Sequence, residues 1–106
     1  MATDDTEDQL PHSIFMTLST ESLASKVNQL FLNHGWSSRM CSWTEYEVRS
    51  DFAELVIASE RPVLISGGVD RQLESVNRIV EILQSSGLQC SFDVYDEHQN
   101  CVRSQQ

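Results

Sequence analysis

Lysine is almost missing from this 106-residue chain. Lys26 is the only one, and with the arginines it makes seven bases against sixteen acids, a formal net charge of −9. Such a surface repels a phosphate backbone and anionic lipid, so neither nucleic acid nor a membrane is expected as a partner. Long apolar runs are missing too. None approaches the roughly 20 residues needed to cross a bilayer. The opening Met1-Ala2-Thr3-Asp4-Asp5 has neither the basic nor the apolar part of a secretory signal. Cysteine is sparse: Cys41, Cys90 and Cys101 are odd in number and widely spaced, which is not a disulfide framework. The expectation is a cytoplasmic chain with reduced thiols.

Catalytic and cofactor motifs are equally scarce. There is no Gly-x-Gly-x-x-Gly, no Gly-Lys-Ser/Thr and no Gly-x-Ser-x-Gly, which removes the usual dinucleotide, P-loop and nucleophile-elbow signatures. Of the soft metal ligands, only His98 and Cys101 are close in sequence, and structural zinc sites normally show two close pairs. Glu45 and Glu47 are two residues apart on a strand pattern, a spacing that more often marks a solvated face than an acid–base pair. No catalytic residue, cofactor or metal is expected, and the chain does not read as an enzyme.

What is present is periodic. Residues 1–12 carry Asp4, Asp5, Glu7 and Asp8 without a period and read as an acidic disordered tail. From Ser13 onward the chain reads as one domain, 13–104. Ile14, Met16 and Leu18 alternate with Ser13, Phe15 and Thr17, a strand pattern. Ser19 and Thr20 offer cap oxygens to a helix over 20–34, whose apolar face holds Leu23, Val27, Leu30, Phe31 and His34 and which Gly35 ends. Alternation over 40–49 predicts a strand with Met40, Tyr46 and Val48 on one face. Cys41, Trp43, Glu45, Glu47 and Arg49 fall on the other. Residues 53–58 and 62–67 are β-rich, as one strand or two, and Val63-Leu64-Ile65 reads as a central strand buried on both sides. Ser66-Gly67-Gly68-Val69-Asp70 reads as a strand-to-helix turn. The next helix carries Leu73, Val76, Ile79, Val80, Ile82 and Leu83, and Ser85-Ser86-Gly87 closes it. Leu88, Cys90, Phe92 and Val94 then mark a last strand, with Cys101 to Arg103 as a short edge strand or a frayed end.

Two amphipathic helices flanking a block of strands must bury their stripes somewhere. The economical arrangement is an α+β two-layer sandwich: an antiparallel-rich sheet of four to five strands with both helices on one face. The order resembles the split βαβ, or ferredoxin-like, architecture over about residues 13–96, with an extra strand between 53 and 67.

Such a sandwich leaves one sheet face without helices. The reading that follows is a small acidic interaction module that binds another protein, of basic character, or a second copy of itself, through that face or a sheet edge. Trp43 as an aromatic anchor ringed by Glu45, Glu47 and Arg49 is the candidate binding set. The alternative is a small-ligand or anion-sensing module built on the Gly67-Gly68 turn.

Overall fold

The computed structural model describes residues 10–18, 23–60 and 62–105. The strands are β1 (His12–Leu18), β2 (Ser37–Ser42), β3 (Glu45–Arg49), β4 (Ala53–Ala58), β5 (Leu64–Val69), β6 (Cys90–Tyr95) and β7 (Cys101–Gln105). The helices are α1 (Ala24–Asn33), between β1 and β2, and α2 (Leu73–Gln84), between β5 and β6. All strands join one antiparallel sheet in the order β2-β3-β4-β5-β1-β6-β7. The central run β4-β5-β1-β6 has the strand neighbours of a split βαβ, so the fold is α+β and broadly ferredoxin-like. The sheet is larger than the four to five strands expected.

The two added edges explain the difference. The run 40–49, expected as one strand, is a hairpin: Ser37–Ser42 turns back through Trp43-Thr44 into Glu45–Arg49, with a register shift between Met40 and Ser42. β2 and β7 are edge strands and mostly exposed. A strand that buries almost nothing needs no apolar alternation, so its sequence carries little strand signal.

Alternation sorts the sheet into two faces. Ile14, Met16 and Leu18 of β1, Val48 of β3, Leu55 and Ile57 of β4, Ile65 and Val69 of β5, and Cys90, Phe92 and Val94 of β6 are buried in one cluster with Val27 and Phe31 of α1 and Val76, Ile79 and Leu83 of α2. Both helices therefore lie over this inner face. Leu30 and Tyr46 pack against the cluster without being fully buried. Leu64 is 36% exposed, which corrects the expectation that Val63-Leu64-Ile65 is buried on both sides. β5 is central in the sheet, but helices cover only one of its faces.

Local chemistry places the helix ends. The expected cap at Ser19-Thr20 lies outside the described residues, as does the tail through residue 9. At the far end of α1, Gly35 N–H donates to Leu32 O and Trp36 N–H to Phe31 O, the paired bonds of a Schellman ending. Gly35 has φ +89°, a left-handed conformation that costs glycine little. His34 Nδ1 lies 2.9 Å from Leu30 O. The reversal delivers Trp36 to the core, edge-on to both Phe31 and Phe52. Ser38 of β2 hydrogen-bonds Asn28 of α1, tying the edge hairpin to the helix. Before α2, Asp70 Oδ1 accepts from the Gln72 backbone N–H at 3.0 Å and from Ser75 Oγ at 2.6 Å. In the β6–β7 turn, the Asn100 and His98 amides donate to the Asp96 carboxylate at 2.9 Å and hold its pKa below the ordinary carboxylate value.

Gly67 and Gly68 lie within β5, paired with β4 on one side and β1 on the other, and not in a strand-to-helix turn. The turn is supplied by Asp70–Gln72. A Cβ at Gly67 would sit 2.0 Å from Glu54 O and 2.9 Å from Leu55 Cα, so the residue is demanded by the close approach of β4. Because both contacts are backbone, no rotamer change relieves them.

Two stability predictions follow from this packing. Phe31→Ala removes a fully buried ring and is expected to cost about 3–5 kcal/mol in urea unfolding. Gly67→Ala is expected to cost more than about 1 kcal/mol although it adds a single methyl group. A neutral result at Gly67 would mean that β4 and β5 do not run as closely as described.

Candidate functional site

The face opposite the helices is the part of the molecule whose covering is unexplained. Its residues are the alternate members of each strand: Ser13, Phe15 and Thr17 of β1; Leu64 and Ser66 of β5; Glu54, Val56 and Ala58 of β4; Ser91, Asp93 and Tyr95 of β6. Polar residues suit a solvated sheet face, and most of these are polar or small. Leu64 and Val56 are exceptions, and so is Phe15, the most exposed of the three. It lies on the strand between β5 and β6 and is 54% exposed.

Pairing shows what surrounds it. Phe15 is directly opposite Ser66 on one side and Asp93 on the other. Thr17 is opposite Leu64, which is in turn opposite Ala58. Leu64 is thus a diagonal neighbour of Phe15, at about 7–8 Å between strand positions. On the other diagonal, the Tyr95 ring meets Phe15 edge-to-face with centroids 6.0 Å apart. Val56 lies in the same row as Phe15, beyond Ser66. Ala58, Leu64, Phe15 and Tyr95 form an apolar stripe across β4, β5, β1 and β6.

Carboxylates border that stripe. Glu45 is opposite Ala58, Glu47 opposite Val56, Glu54 opposite Gly68 and Asp93 opposite Phe15. Glu47 is partly neutralised by Arg39, at 2.8 Å, and by Arg49, at 3.8 Å; Arg49 also reaches Glu54 at 3.4 Å. The Glu47 hydrogen bond and charge raise the Arg39 pKa above its ordinary value. These pairs are exposed and contribute little to stability. Asp93 accepts a hydrogen bond from Ser104 Oγ at 2.6 Å.

The residues expected from the sequence divide into two places. Glu45, Glu47 and Arg49 are on the helix-free face, on β3 next to the β2 edge, while Tyr46 and Val48 point to the core side. Trp43 does not sit among them on a strand. It is at the tip of the β2–β3 hairpin and 98% exposed, with Met40 exposed nearby on β2. The turn interrupts the alternation that would have placed it on the strand face. The exposed ring at the centre of the open face is Phe15, with Leu64 and Tyr95 beside it. Its signal was available: a phenylalanine on the polar side of an alternating strand.

Elsewhere the chemistry is dispersed. Cys41 and Cys101 are exposed on opposite edge strands, and Cys90 is buried under the sheet. Among the described residues no three His, Cys, Asp or Glu side chains converge as metal ligands. No helix among them is long and apolar enough to cross a membrane. A groove of about 520 Å³ runs past Trp36, Phe52, Arg78 and Glu81, where the Arg78 guanidinium lies 5.7 Å from the Phe52 ring centre. Comparison of the chain with protein-family models, with curated proteins and with solved structures gives no match.

The three thiols should separate by reactivity. Burial pushes the Cys90 pKa up, which lowers both its access and its thiolate fraction. Iodoacetamide at neutral pH is expected to modify Cys41 and Cys101 in the native protein and Cys90 only after unfolding. Equal rates at all three would show that β6 is not covered by the helices.

Proposed function

We propose that this chain is a non-enzymatic interaction module that binds a basic protein through its helix-free sheet face. The observation that carries the reading is Phe15, half out in solvent on a central strand, at the middle of an apolar stripe. Scattered apolar side chains are normal on a surface, but contiguous ones with a polar rim mark binding surfaces. An aromatic anchor at the centre of a patch, with polar groups around it, is the pattern that concentrates binding energy.

The choice of partner rests on charge. With a net charge of −9, a second copy of the chain is repelled, and a basic surface is attracted and steered. The acids bordering the stripe favour the same partner. The Gly67-Gly68 alternative draws no support from the placement of both glycines inside a paired strand.

The test is Phe15→Ser. Because the ring is largely exposed, the melting temperature should change little, while affinity for the partner should fall about tenfold or more. In-cell cross-linking with quantitative mass spectrometry identifies which basic proteins are retained by the wild type and lost by the variant, and purified pairs then give the affinities. The reading fails if the variant retains the same set. Wild-type protein that sediments as a dimer through this face at micromolar concentration would assign the surface to a second copy instead.

A further inference from the structure

Beside Phe15 the open face is not flat. Phe15, Thr17, Ser91, Phe92, Asp93 and Gln105 line a hollow of about 260 Å³ towards the β7 edge. That is smaller than the roughly 300–1,000 Å³ of sites that enclose a drug-sized ligand, and it suits one long side chain. We propose that this hollow is a subsite for an arginine side chain of the partner, a deepening that rests on the open face being the binding surface.

The lining has the chemistry a guanidinium requires. One wall is an aromatic ring with more than half its surface exposed, and a cation is attracted to the face of such a ring. Across the strand pair from that ring is the Asp93 carboxylate. The ion pairs among the described residues join Arg39, Arg49 and Arg71 to Glu47, Glu54 and Glu97, and Asp93 is in none of them. Its Oδ1 is held by Ser104 Oγ, which fixes the carboxylate at the rim. Thr17 and Ser91, directly opposite each other, line the same hollow and both carry a hydroxyl.

Arginine fits this set better than lysine does. Its planar head lies flat against an aromatic ring and is weakly hydrated, so leaving water costs it less. It presents five donors in a fixed fork and no acceptor, and the hollow offers acceptors on several sides. A lysine ammonium is compact and strongly hydrated, and it gains least from a ring wall. A carboxylate or phosphate ligand would meet Asp93 with like charge.

The test is a ¹⁵N-NMR titration of the full chain with N-acetyl-arginine amide, N-acetyl-lysine amide and N-acetyl-citrulline amide. Citrulline keeps the shape and loses the charge. Saturable shifts are expected at the Thr17, Ser91 and Asp93 amides with arginine, and about tenfold weaker binding with citrulline. Phe15→Leu keeps an apolar side chain but removes the ring, and Asp93→Asn keeps the size but removes the charge. Each should weaken arginine binding about fivefold or more with the remaining spectrum unchanged. Equal response to citrulline, or binding that survives Asp93→Asn, overturns the subsite. Lysine binding as tightly as arginine overturns the choice of side chain. The captured partner separates this proposal from the one it rests on. If Phe15→Ser abolishes partner binding and Asp93→Asn does not, the face stands and the arginine subsite falls. If Phe15→Ser leaves partner binding intact, the face itself is not the binding surface.

Discussion

The two helices among the described residues cannot cover both faces of the seven-stranded sheet they pack on, and most of this molecule's character follows from that mismatch. Strands spaced about 4.8 Å apart make a sheet roughly 30 Å wide, whereas each helix with its side chains covers about 10 Å. Both helices are spent on one face, over the central strands. The core forms there, from alternate residues of β1, β3, β4, β5 and β6. The opposite face is left to solvent or to a partner, and the edge strands are thinly covered even on the helix side.

The margins of the core show how the chain manages that shortage. Near the β7 edge, the Arg103 guanidinium lies 5.5 Å from the Phe92 ring centre and donates to Asn77 of α2 at 2.6 Å. At the other margin, Phe52 and Trp36 stack edge-to-face beside α1 while Arg78 of α2 lies over Phe52. Long basic side chains lay their stems along apolar surface and keep their charge wet, so they serve as covers where helices do not reach. In a chain with so few bases, these arginines have packing work that lysine would do less well, because a guanidinium stacks on an aromatic ring and an ammonium does not.

The open face combines two designs that usually occur apart. Towards β3 it is a ladder of paired charges, with Arg39, Glu47, Arg49 and Glu54 largely satisfying one another. Towards β6 it is apolar and hydroxyl-rich, with the Asp93 carboxylate at the rim held by Ser104 and in no ion pair among the described residues. The first half suits solvation; the second, with Phe15 at its centre, is where covering the face would take most apolar surface out of water. That is why the proposed binding surface is centred on Phe15, while the Glu45–Glu47–Arg49 group forms its charged margin.

The sequence by itself determined the elements that bury apolar surface. Two helices with apolar stripes, the alternation of β1 and β6, and the left-handed turn at Gly35 were all legible, because burial leaves a period of two or 3.6 and a helix reversal favours glycine. It also determined that Tyr46 and Val48 lie on the other sheet face from Glu45 and Glu47, since alternation forces it. Only tertiary structure decided the rest. The edge strands β2 and β7 exist through pairing with a neighbour and not through burial, so no apolar face marks their limits in the sequence. The hairpin at Trp43-Thr44 hides inside an alternation that happens to continue across it. Gly67 looks like a turn residue in sequence and is a contact residue in the sheet, because the neighbour that demands it, the backbone of β4, is far along the chain. Phe15 could be seen to lie on the polar side of its strand. That both described helices would pack against the other side is a property of the whole fold that no local pattern records.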